Sequence, residues 1–151
     1  MIERGLTIKW SWHDSDVASI FVRASNGDFA GVAEPYISLD ALAEAADRLK
    51  GFPKDLADTR EITFGGSGDG SAGGFASLKF SCFDGAGHGR VELIFESKNE
   101  ARVAKSHYDW FESATFCAHI EAAAVDEFVA GLRRLHSDKA GEARLAFLVA
   151  G

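Results

Sequence analysis

Basic residues are in deficit: 16 Lys and Arg stand against 23 Asp and Glu, a formal charge of −7. A nucleic-acid binder should offer phosphates a basic surface, so no nucleic-acid partner is expected. Long apolar runs are absent as well. A membrane span needs ~18 consecutive apolar residues, and the stretch Leu145 to Ala150 falls far short of that, so no membrane partner is expected. Cysteine is scarce, with Cys82 and Cys117 far apart in the chain and neither in a Cys-x-x-Cys pair. The start, Met1-Ile2-Glu3-Arg4-Gly5, lacks the charged opening, apolar stretch and small-residue cleavage site of a secretory signal. A cytoplasmic location is therefore the expectation, with both thiols reduced and buried rather than joined.

What is present is ordinary globular material: 151 residues, 46 % apolar and 26 % charged. That length suits one domain, taken here as 1–151, with a sizeable core. Val17 to Ala24 alternates and is followed by Ser25-Asn26-Gly27-Asp28 and a second extended run, Phe29 to Ile37. Asn-Gly between two such runs is a strong hairpin signal. Trp10 and Trp12, two apart on an earlier extended run, should share a strand face. Ser38 offers an N-cap to a helix from Leu39 to Lys50, with Leu39, Leu42, Ala43, Ala46 and Leu49 on one face and Gly51 as the left-handed stop.

The second half follows a similar plan. A strand around Glu61 to Phe64 leads into the glycine-rich stretch Gly65 to Gly74, read as a flexible hairpin loop. Phe75 to Phe83 alternates, Asp84 to Gly89 turns the chain, and Arg90 to Lys98 alternates again. A strand from Ala114 to Ile120 precedes a helix carrying Val125, Phe128, Val129, Leu132 and Leu135 at helical spacing, and Ala143 to Val149 offers a last strand. Hairpins rather than crossovers link most strands. The expected class is α+β, a mainly antiparallel sheet with two helices packed on it, in the order β-β-β-α-β-β-β-β-α-β.

Chemical motifs are weak. A P-loop needs a Lys followed by Ser or Thr and then a helix, whereas the glycine stretch runs into a strand at Phe75. His13 with Asp14 and Asp16 is the tightest potential metal cluster, but no two histidines have helical ligand spacing, and a surface turn explains it. His119 and Cys117 would share a strand face about 7 Å apart, too far for direct proton transfer. No Gly-x-Ser-x-Gly elbow occurs, and Glu92 and Glu96 read as a solvated face. No catalytic residue, metal or cofactor is expected.

The segment His107-Tyr108-Asp109-Trp110-Phe111-Glu112 is different. It interleaves aromatics with acids in a connection, the mix that anchors protein interfaces. Tyr108, Asp109, Trp110 and Glu112 are the candidate binding residues, set against the plainer reading that Trp110 closes the core edge.

Val17 to Phe52, with Ser25-Asn26-Gly27-Asp28-Phe29, Tyr36-Ile37-Ser38-Leu39-Asp40-Ala41-Leu42 and Leu49-Lys50-Gly51-Phe52-Pro53, resembles a group of small bacterial proteins. With Ala114-Thr115-Phe116, Ala123 to Phe128 and Leu132 to Leu135, the layout also resembles the WapI-type immunity proteins. In those, an acidic α+β domain neutralises a toxin. The resemblance implies a protein partner, a toxin, held without catalysis. The alternative is a small-molecule-binding domain or enzyme with a pocket between sheet and helices near His119, Cys117 and Ser81. A homodimer through an edge strand is a third expectation.

Overall fold

The computed structural model describes residues 3–66, 73–98 and 111–149. Their elements run β1 (Gly5–His13), β2 (Val17–Ser25), β3 (Ala30–Ala33), β4 (Tyr36–Ser38), α1 (Ala41–Leu49), β5 (Thr59–Gly65), β6 (Phe75–Cys82), β7 (His88–Lys98), β8 (Phe111–Glu121), α2 (Ala122–Asp138) and β9 (Glu142–Leu145). Four antiparallel strands and a helix thus occur twice, followed by one more strand. The class is α+β with antiparallel strands, but the strands form two sheets rather than one. Sheet A has the order β3-β2-β1-β9 with β4 also on β2, and sheet B has the order β5-β6-β7-β8.

Alternation accounts for the strands. In β7, Val91, Leu93 and Phe95 are buried while Arg90, on the other face, is exposed, and the register Ile62, Leu78, Leu93, Phe116 runs as one apolar row across sheet B. Sheet A buries Leu6, Ile8, Ile20, Val22, Ala143 and Leu145 in the same way. Each large side chain so buried contributes roughly 1.5–3 kcal/mol relative to exposure. The helices add Leu42, Ala45, Ala46 and Leu49 from α1 and Val125, Phe128, Leu132 and Leu135 from α2, all in one continuous core. Gly131 lets β9 approach α2 closely, since a Cβ there would lie 3.2 Å from the Ala143 Cα.

The Asn-Gly hairpin forms as its chemistry requires. Gly27 has φ +99°, and Asn26 Oδ1 accepts from the Asp28 and Phe29 N–H groups at 3.0 and 2.9 Å. Other expectations are corrected. Phe29 to Ile37 is not one strand, because Pro35 lacks an N–H for the ladder and splits the run into β3 and β4. Ser38 does not cap α1. It is paired with Val17 in the β2–β4 ladder, and Asp40 takes the N-cap position without a side-chain bond. Gly51 does stop α1, at φ +78°.

Trp10 and Trp12 do not share a face either. A bulge at Ser11 pairs Trp10 with Ile20 but Trp12 with Ser19, and neighbouring residues of β2 point to opposite sides. Trp10 turns inward and its indole N–H donates to the Leu135 carbonyl at 2.6 Å. Trp12 turns outward. The strand expected from Ala143 to Val149 ends at Leu145. Beyond it, the Leu148 N–H donates to the His119 carbonyl at 2.8 Å, covering part of the outer edge of β8. Asn26 Nδ2 donates to the Cys117 carbonyl on that edge at 2.8 Å, so the two sheets are tied at β8 from both the hairpin and the tail.

Candidate functional site

Of the candidate binding residues, Tyr108, Asp109 and Trp110 lie outside the described residues, as does most of the glycine-rich stretch, 67–72. Glu112 is described. It is exposed near the start of β8, and with Ser113, Phe95, Gly31 and Val32 it lines a shallow groove of about 230 Å³ between β8 and β3. Gly31 brings the two sheets close at this point. A Cβ there would lie 2.5 Å from Phe95 Cδ2, so Phe95 packs directly on the backbone of β3.

The same margin of sheet A carries an unusual amount of exposed apolar surface. Phe29 is 65 % exposed, Val32 40 %, Tyr36 46 % and Trp12 44 %. Phe29 and Val32 belong to the β2–β3 turn and β3. Tyr36 opens β4, and Trp12 meets it edge-on with ring centroids 6.1 Å apart. The Trp12–Ser19–Tyr36 register places both rings on one face. Acids flank the row at Asp28, Glu34 and Glu112, and the Ser11 hydroxyl donates to the Glu34 carboxylate. Phe29, Val32 and Tyr36 were not singled out in the sequence, where they read as one alternating strand. The signal available was Pro35, which makes this segment an edge.

The pocket expected between sheet and helices is placed differently. Ser81 and His119 do line a common concavity, about 480 Å³, together with Cys82, Phe83 and Arg90. It lies on the solvent face of sheet B, where Thr59, Ser81, Arg90 and His119 form one cross-strand row. Cys117 belongs to the next row, opposite Glu92. Both cysteines are free and half-buried rather than buried.

Two further sites are structural. The Asp14 carboxylate accepts from the Asp16 and Val17 N–H groups at 2.8 and 2.9 Å, and these bonds hold it below the ordinary Asp value. The His13–Asp14–Asp16 cluster is accordingly a turn. Among the described residues no group of three His, Cys, Asp or Glu side chains is placed to hold a metal ion. A groove of about 420 Å³ separates α1 from β5, bounded by Glu44, Arg48, Glu61 and Thr63. There Arg48 Nη1 donates to the Glu61 carbonyl at 3.1 Å and so occupies an acceptor of the sheet edge.

No family model, curated protein or solved structure matches the chain. Among the described residues, no helix is long and apolar enough to cross a membrane.

Proposed function

We propose that the chain is a non-enzymatic protein-interaction domain of the cytoplasm that docks a basic protein on the β3–β4 margin, in its specific form an immunity-type inhibitor that occludes a toxin. The observation that carries this reading is the row of exposed side chains Phe29, Val32 and Tyr36, extended by Trp12. Rings left in water along one margin are what an interface later covers, and Trp and Tyr are the residues that most often supply its binding energy. Asp28, Glu34 and Glu112 around the row, and the net charge of −7, favour a basic partner and speed encounter with it. Glu112, Tyr108, Asp109 and Trp110 are proposed contacts, of which Glu112 is exposed beside the row.

Recognition here rests on side chains rather than on strand addition. β3 and β4 have 4 and 3 residues and are interrupted at Pro35, a poor template for another strand. That argues against a homodimer paired through this edge. The test is capture from host lysate on immobilised protein, comparing the native chain with Phe29→Ser/Tyr36→Ser and with Leu56→Ser as an exposed control. One basic protein should be held by the native chain and the control and reduced at least about tenfold by the double variant, a loss of roughly 1.4 kcal/mol. Equal retention by all three would contradict the assignment of this margin.

A further inference from the structure

The solvent face of sheet B carries a second, independent feature. Arg90 stands at the centre of the Thr59–Ser81–Arg90–His119 row, with Ser81 directly across on one side and His119 on the other. Directly paired residues of adjacent antiparallel strands have Cα atoms about 4.5–5.5 Å apart, so the guanidinium stands between a hydroxyl and an imidazole, and all three residues line the one concavity. Arg90 and Ser81 make no salt bridge or side-chain hydrogen bond among the described residues. Glu92, the next residue on the same face of β7, lies directly across from Lys79.

One wall of the concavity is Phe83, 53 % exposed and yet fixed in place. It stacks on His88 at 6.4 Å with 20° between planes and meets His119 at 5.5 Å. His88 is itself held by Asp84, whose carboxylate takes its Nδ1 at 2.7 Å and accepts from the Ala86 and His88 N–H groups. The Phe83 N–H in turn donates to the His88 carbonyl at 3.1 Å. A large ring held outward by a closed turn is a preformed surface for a flat group, and the volume of about 480 Å³ lies within the range of small-molecule sites.

We propose that this concavity binds a small organic oxyanion, its carboxylate or phosphate on Arg90, Ser81 and His119 and its planar apolar part against Phe83. The planar guanidinium matches two oxygens of either group. The site is separate from the β3–β4 margin and stands or falls without it.

The experiment is titration of the full chain with benzoate, phenyl phosphate and inorganic phosphate, followed by calorimetry and by the His119 imidazole resonances. Saturable 1:1 binding of at least one ring-bearing probe that shifts the His119 signals is expected. Arg90→Gln should weaken that probe at least tenfold. Phe83→Ala should weaken the ring-bearing probe and leave inorganic phosphate unchanged. Which of benzoate and phenyl phosphate binds more tightly separates a carboxylate ligand from a phosphate ligand. Absence of saturable binding, or equal affinity in Arg90→Gln with its circular dichroism unchanged, would overturn the proposal.

Discussion

Gly31 shows how one missing side chain shapes both fold and surface. Its Cα sits so near Phe95 that a Cβ would fall 2.5 Å from Cδ2 and 2.9 Å from Cγ, and Phe95 is 2 % exposed with little room to retreat. Gly31→Ala should therefore cost about 1–3 kcal/mol, the usual penalty of overpacking. In a double-mutant cycle read by urea denaturation, Phe95→Leu should relieve much of that loss; additive effects would show that the two do not touch. None of this was visible in the sequence, where Gly31 is one residue of an alternating run. By contrast, Asn26 and Gly27 were readable, because the turn they form depends on their own side chain and backbone. Only the second task of Asn26, its bond to the Cys117 carbonyl, required the fold.

Among the elements, α1 is secured at its C-terminal end by β5. Arg60 Nη1 donates to the Arg48 and Lys50 carbonyls at 3.1 and 2.7 Å, satisfying acceptors that a helix end leaves open. The guanidinium also bonds both oxygens of Asp58, at 3.1 and 2.8 Å, and both side chains are mostly buried. Hydrogen bonding from Arg60 holds the Asp58 carboxyl below its ordinary value. A depressed carboxyl stabilises the fold above its unfolded value, near pH ~3.9, and that stability is lost as pH falls through the lower folded value. Asp58→Asn should cost about 2 kcal/mol at pH 7, and the gap from the native chain should shrink as pH falls below the unfolded carboxyl value of ~3.9; a gap constant with pH would contradict the role given to the pair. The apolar faces of both helices were legible from spacing, since burial repeats with the helical period. Their caps were not. Ser38 looks like a cap until the ladder with Val17 claims it, and Trp12 looks like a partner of Trp10 until the bulge at Ser11 reverses it.

For the whole molecule, the sequence carried the class and the strand alternation but not the division into two sheets, because hairpin signals specify neighbours and not which strands share a ladder. The same limit governs the candidate sites. Ser81 and His119 could be suspected from alternation. Their meeting with Arg90 and Phe83 depends on register across β6, β7 and β8. The exposed row at the β3–β4 margin depends on Pro35 ending one strand and on sheet A leaving that side unpaired. If the net charge of −7 guides a basic partner to this margin, association should slow as salt is raised from about 0.05 to 0.5 M, with a smaller change in dissociation. A salt-independent association rate, measured by surface-binding kinetics on the captured complex, would contradict that steering. The most direct measurement is hydroxyl-radical footprinting of the chain in buffer and in host lysate, read by mass spectrometry at individual side chains. The account predicts that labelling of Trp12, Phe29 and Tyr36 falls in lysate while Leu56 is labelled as before. Unchanged labelling of those three rings, or protection at Leu56 alone, would contradict it.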